Sequence, residues 1–326
     1  MVKGLPIIGI LHRVKPTIQH FLLELGKSYG PIFRINFGMR EMIVLNDFDT
    51  IKKSLKENGD NFSGRMKMKG FELLTHSSGI IFEDGEKWAK QRSFMLKVLR
   101  DFGLGKSKSA SIVQNECIFL LEELDKSEGK PVDFENLIPV YTANIISKFI
   151  MNKRFNRGDP KLDVISRIVT ESAKKKDPII VLHVLLPILD GIEWIMRMTY
   201  LKMFDKAYDI FQQEIKDHLS ALDLESEGED LIDRFLIEQN NMKKKTGSVD
   251  TFTDWQLIRN SFELFVAGYE TTSTTLGWSL MFMSRFPEIQ NKVYDEIISQ
   301  IGDERLTTMN DKKSLNYTQA VMDEIL

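Results

Sequence analysis

From Thr253 to Phe286 the sequence runs without a proline. Thr253 and Gln256 are spaced as a capping box at one end, and Pro287 forbids continuation beyond Phe286 at the other. This predicts one unusually long helix. Phe262, Leu264, Phe265, Val266, Leu276, Trp278, Leu280, Met281, Phe282 and Met283 spread around its whole circumference, the pattern of a helix running through a core. Its middle breaks the pattern. Ala267-Gly268 followed by a Thr/Ser run is a poor helix former, the glycine alone costing about 1 kcal/mol relative to alanine, and the hydroxyls can bond back to preceding carbonyls. Residues three, four and seven apart share a face, so Glu263, Ala267, Glu270, Thr271 and Thr274 form a stripe of small and polar groups. Two explanations compete. In one, the carboxylates pair with basic residues on neighbouring helices while the small residues permit close packing. In the other, a flat cofactor or substrate lies over Ala267 and Gly268, with Glu270 and Thr271 supplying protons.

The rest of the chain fits a mainly α fold with a small sheet. Two β-type runs, 32–37 and 41–45, flank Gly38-Met39-Arg40, which reads as a hairpin turn. Helical periodicity predicts helices over 17–28, 47–56, 86–100, 107–126, 136–151, 161–175, 201–222, 230–243, 253–285, 287–301 and 316–326. The lysine triplets 174–176 and 243–245 fall at helix ends, where cations suit the negative end of the dipole.

Several function classes are excluded. A formal charge of −3 gives no footprint for a polyanion, so no nucleic-acid partner is expected. The single cysteine, Cys117, rules out a disulfide scaffold, an iron–sulfur cluster and a Cys-rich zinc module. Cys117 lies in a helical run and is expected to be a buried structural thiol. Gly105-Lys106-Ser107 is no phosphate loop, because Arg100 stands where its first glycine belongs. The five histidines show no metal-ligand spacing. The apolar run 179–189 is about half a membrane span and is interrupted by His183 and Pro187. With Trp194 and Tyr200 nearby, it is expected to form a peripheral membrane contact.

Trp88 and Arg92 stand four apart on a predicted helix, so an indole N–H and a guanidinium share a face. They suit joint binding of a carboxylate or, alternatively, a surface cation–π pair.

Taken in order, these segments resemble the cytochrome P450 haem-thiolate monooxygenases. Ala267-Gly268-Tyr269-Glu270-Thr271-Thr272 is similar to the family's oxygen-activating motif, and Trp88-Ala89-Lys90-Gln91-Arg92 to its Trp-x-x-x-Arg helix. Gly4-Leu5-Pro6-Ile7-Ile8-Gly9, Tyr29-Gly30-Pro31, Phe62-Ser63-Gly64-Arg65, Gly79-Ile80-Ile81-Phe82 and Phe286-Pro287-Glu288 also match in sequence order. The segment from Tyr317 to Leu326 resembles the start of the Glu-x-x-Arg helix, with Glu324 as its glutamate. The style is that of the animal microsomal family-2 type.

The resemblance implies a cytochrome P450-like helical fold, haem b as cofactor, and NADPH electrons delivered by a flavoprotein reductase. It further implies O2 and a small apolar substrate, and the cytosolic face of the endoplasmic reticulum membrane. Trp88 and Arg92 would hold a haem propionate, Ala267 and Gly268 would lie over the haem, and Glu270 and Thr271 would be catalytic. Phe71, Leu73, Leu74 and the run after Pro178 would shape substrate choice. Cys117 lacks the glycine-rich loop of the axial ligand and is not expected to bind iron. Residues 1–326 are therefore expected to form a partial domain, lacking both the N-terminal anchor and the haem-ligand region. The rival reading is a non-catalytic helical protein binding partners or apolar ligands.

Overall fold

A computed structural model of the chain describes residues 2–14, 17–67, 72, 75–105, 107–174 and 202–326. The predicted apolar run 179–189, with Trp194, Tyr200, Phe71, Leu73 and Leu74, lies outside the described residues. Among those described, no helix is long and apolar enough to cross a membrane. The chain forms two compact units, Met1–Ala89 with Thr170–Asp205, and Lys90–Val169 with Lys206–Leu326.

In the first unit, helix α1 (Ile18–Tyr29) buries Phe21 and Leu25 against the strands β1 (Ile32–Phe37) and β2 (Arg40–Leu45). The strands pair antiparallel from Ile32–Leu45 to Phe37–Arg40. Arg40 is thus a strand residue, and the turn is two residues long rather than three. The N-terminal glycine-bracketed segment lies along β1: the Val2 amide donates to the Arg34 carbonyl and the Ile10 amide to that of Asn36. Gly9 makes this approach possible, since a Cβ there would lie 1.9 Å from the Asn36 carbonyl oxygen. Helix α2 (Phe48–Ile51) passes into a π-helical turn over Lys52–Glu57, so the predicted helix 47–56 is present but is α-helical only at its start and wider beyond it.

The second unit is helical. Its elements are α3 (Gly85–Asp101, whose first turn belongs to the first unit), α4 (Ser107–Asp125), α5 (Phe134–Met151), α6 (Pro160–Lys174, in the first unit from Thr170), α7 (Lys202–Ala221, in the first unit up to Asp205), α8 (Leu231–Thr246), α9 (Asp254–Arg285), α10 (Pro287–Ile301) and α11 (Asn316–Ile325). Helix α9 has 32 residues, a length of roughly 48 Å at 1.5 Å per residue. It starts where Thr253 Oγ1 accepts the Gln256 amide at 3.2 Å, and it ends before Pro287. Its first half lies in the core beside α5. Phe262 and Phe265 meet Phe211 of α7 edge to face, and Phe265 also meets Tyr269 and Phe155. The second half departs from the expected core burial: Leu276, Trp278, Leu280 and Met281 are exposed.

Candidate functional site

Helix α9 sorts the predicted motif onto two sides. Tyr269 and Ser273 are buried, whereas Ala267, Thr271 and Thr274 are exposed, and Gly268 and Glu270 lie between these extremes. Gly268 faces α5: a Cβ added there would meet Ile146 Cγ1 at 2.7 Å. Its missing side chain therefore serves helix packing in this structure. Ala267 and Thr271, one turn apart, leave a low exposed surface on α9.

The hydroxyls of the motif bond back along the helix, as their spacing predicts. Thr271 Oγ1 donates to the Ala267 carbonyl at 2.8 Å, Ser273 to that of Glu270 at 3.0 Å, Thr275 to that of Thr271 at 3.0 Å and Ser279 to that of Thr275 at 2.8 Å. The carboxylate of Glu270 has no cationic partner among the described residues. Glu263 is different. It is buried and paired with Arg259, one turn earlier on its own helix. Arg259 also donates to the Tyr208 hydroxyl of α7 and lies over the Tyr208 and Phe262 rings at 5.3 and 5.6 Å. Burial, and then the charge of Glu270, pushes the Tyr269 phenol well above its ordinary value, so it stays neutral and donates no proton near neutral pH.

Trp88 and Arg92 stand on α3 as predicted, but their polar groups are not equivalent. The indole Nε1–H donates to the Ile80 carbonyl at 3.1 Å. Three of the matched segments meet there, since Arg65 Nε donates to the Ile81 carbonyl at 3.4 Å and the Arg65 amide to Asp84 at 2.8 Å. Trp88 thus anchors the start of α3 on the 79–82 segment. The Arg92 side chain is exposed.

Cys117 corrects an expectation. It is exposed on α4, not buried. Partial burial of the thiol, then the nearby charge of Glu116, pushes its pKa up. The run 107–125 has weak apolar periodicity and so no single buried face, and Ile118 and Phe119 beside the thiol are exposed as well.

Sequence spacing also missed a cluster. His218, Asp230 and Asp233 bring possible metal-ligating atoms within 4.8 Å of one another. His218 Nε2 bonds Asp230 at 2.9 Å and Nδ1 bonds the Glu214 carbonyl at 2.7 Å. Neither acceptor can donate, so both ring nitrogens carry protons and the ring is an imidazolium. Burial opposes that charge most strongly, but the Asp230 hydrogen bond and charge, the Glu214 carbonyl and Asp233 outweigh it and push the pKa up to about 9. The cluster is an ion pair across the α7–α8 junction. Nothing in the chain spacing marks it, because His218 and Asp230 lie on different helices.

Three hollows among the described residues have no predicted site residue in their lining. One, of about 780 Å³, lies on α1 beside Asn46 and Asp47 and takes in Gly30 and Pro31 of a matched segment, but none of the predicted site residues. An apolar groove of about 560 Å³ lies among α4, α5, α10 and α11, lined by Val113, Phe149, Ile297 and Met322. A smaller one of about 260 Å³ lies between α9 and α11, beside Leu276 and Met283.

Haem requires a flat uncluttered surface, a cation for its propionates and an axial ligand. Ala267 and Thr271 fit the first and Arg92 the second. Comparison with known proteins bears on the same segments. The sequence profile of the family Cytochrome P450 matches residues 2–326. Cytochrome P450 2H2 of Gallus gallus is 33% identical over 324 residues, covering 98% of this chain and 65% of its own length. Cytochrome P450 2C3 of Oryctolagus cuniculus is 34% identical over 323 residues with the same coverage, and cytochrome P450 2F2 of Mus musculus is 32% identical over 326 residues, covering 99% of this chain and 66% of its own length. The chain thus spans about 65% of the length of the first two relatives. With a profile match running through both compact units and relatives above 30% identity along nearly the whole sequence, the chain belongs to the cytochrome P450 family.

Proposed function

We propose that the protein carrying this chain is a haem-dependent monooxygenase acting on an apolar organic substrate. One oxygen atom of O2 enters a substrate C–H bond and the other leaves as water, which consumes two protons and two electrons. The electrons come from NADPH through a flavoprotein reductase, and the protein works on the cytosolic face of the endoplasmic reticulum membrane. The observation that carries this reading is the exposed Ala267–Thr271 turn on α9, in a chain that belongs to the family.

Bound haem would supply the redox centre for oxygen activation. Ala267 gives it a side without bulk, and Gly268 supports that side by letting α9 close onto Ile146. Arg92 binds a propionate by charge-assisted hydrogen bonds. Trp88 contributes by fixing the start of α3 through Ile80, or by exchanging that carbonyl for the propionate. Thr271 holds a proton at Oγ1, now directed to the Ala267 carbonyl, and Glu270 relays protons to it from solvent.

The test uses the natural protein in its full length, loaded with haem. Reduction and CO addition should give the Soret shift of thiolate-ligated haem. Thr271→Ala should keep haem and substrate binding while diverting reduced oxygen to peroxide. A protein without that band, or a Thr271→Ala variant with wild-type coupling of NADPH to product, counts against these assignments.

A further inference from the structure

Helix α3 buries Gln91, Met95, Val98 and Leu99 on one face. Three of these are apolar, and the fourth, Gln91, has no exposed surface at all. A leucine would continue the stripe and bury nothing polar, so the amide needs a reason. Its partners supply one. Gln91 Oε1 accepts from Asn260 Nδ2 of α9 at 3.0 Å, and Gln91 Nε2 donates to both the carbonyl and the hydroxyl of Thr251 at 3.1 and 3.0 Å. Asn260 Oδ1 accepts in turn from Gln256 Nε2 at 2.9 Å. Asn260 and Gln256 are fully buried too. The result is a directed chain from Gln256 to Asn260 to Gln91 to Thr251, in which Asn260 and Gln91 each accept at oxygen and donate at nitrogen.

Apolar faces slide over one another at small cost, whereas donors and acceptors in a buried seam match at one register. Gln91 therefore pins α3 to α9 both along and around the helix axis. Its neighbour Lys90 adds an exposed ion pair to Asp250 at 3.1 Å, so the turn before α9 holds two consecutive residues of α3. Successive residues on a helix are about 100° apart. With Gln91 turned inward, Arg92 is fixed on the exposed side.

We propose that Gln91, through Asn260 and Thr251, is a positioning residue that sets the helix bearing Arg92 against the helix bearing Ala267 and Thr271. This rests on the function proposed above. The seam acts through Arg92 and touches no cofactor or substrate.

The experiment compares the haem-loaded full-length protein with Gln91→Leu, Asn260→Leu and the double variant. It reads thermal midpoint and the rate of haem transfer to excess apomyoglobin. Each single variant leaves an amide unpaired and should melt lower. The double variant puts Leu against Leu but still removes the acceptor of the buried Gln256 amide, so it should recover part of the thermal midpoint lost in the single variants yet still release haem at least about tenfold faster, a factor corresponding to about 1.4 kcal/mol. Recovery of both properties would reduce the seam to a structural contact and overturn the proposal, as would wild-type haem release from Gln91→Leu. If that single variant does not fold, the double variant decides alone. A wild-type protein that holds no haem overturns the function and the positioning role together, whereas wild-type retention unaffected by the variants overturns the positioning role only.

Discussion

His218 shows what one buried side chain can contribute when its partners are all acceptors. The ring bridges Glu214 on α7 and Asp230, which also caps α8 by accepting the Asp233 amide at 2.9 Å. The Glu214 carboxylate is separately neutralised by Lys153 and Lys161, so it does not compete for the imidazolium. Because the folded pKa is raised from 6.5 to about 9, the stabilisation is complete below about pH 6.5 and is lost as pH rises through about 9. His218→Gln should therefore lower stability by about 1.5–3 kcal/mol, the range for a hydrogen bond to a charged group, at pH 6. The difference from wild type should shrink towards zero by pH 10, as read by urea unfolding of both proteins across that range. A pH-independent gap would mean that the ring is neutral in the fold. Asp230 and Asp233 announce a helix start in the sequence, but nothing local says that a histidine from the preceding helix reaches them.

At the scale of elements, two contacts decide how α9 and α11 are held. Gly268 lets α9 approach α5, and Gly268→Ala sets two effects against each other. Alanine adds about 1 kcal/mol of helix propensity, while forcing Ile146 aside costs about 1–3 kcal/mol. With the contact at 2.7 Å and on Cγ1 rather than the chain end, overpacking should win. The substitution should be destabilising in the wild-type background and neutral or stabilising with Ile146→Ala, a reversal that a double-mutant cycle measures. Helix α11 has no side-chain cap of its own. Glu296 of α10 does that work, accepting the Tyr317 and Thr318 amides at 2.8 and 2.7 Å and the Thr318 hydroxyl at 2.7 Å. Burial opposes its charge, but these bonds, with that of Asn316, hold the carboxyl below its ordinary value. Its contribution is thus present above about pH 4.5 and disappears as pH falls through the lowered pKa. Glu296→Gln should speed hydrogen exchange at the Tyr317 and Thr318 amides at neutral pH. Unchanged exchange there would assign the capping to another group.

Across the whole molecule, legibility followed the range of the interaction. The helices 86–100, 253–285 and 287–301 could be placed within a residue or so, because Thr253 and Pro287 act on their own neighbours. The side of α9 on which Gly268 lies was not legible, since Ile146 is far away in sequence. The Gln91–Asn260 seam was equally hidden, because a glutamine inside a charged motif reads as surface. The exposed half of α9 is the largest departure. Ten apolar residues around a helix read as core, yet Leu276, Trp278, Leu280 and Met281 are exposed, as are Met322 and Leu326 on and after α11. Leu276, Met322 and Leu326 border one apolar hollow between those helices, so the surface is continuous there. Contiguous apolar patches beyond a few hundred Å² mark association surfaces. Residues 1–326 expressed alone should therefore self-associate at micromolar concentration and bind a hydrophobic dye. Trp278→Glu with Met281→Glu should shift the chain towards monomer and cut dye binding while leaving helix content unchanged. Both side chains are about half exposed, so a loss of helix content would instead reveal that this half of α9 supports the fold. A wild-type chain that sediments as a monomer without binding dye would show that the exposed residues are too scattered to act as one surface.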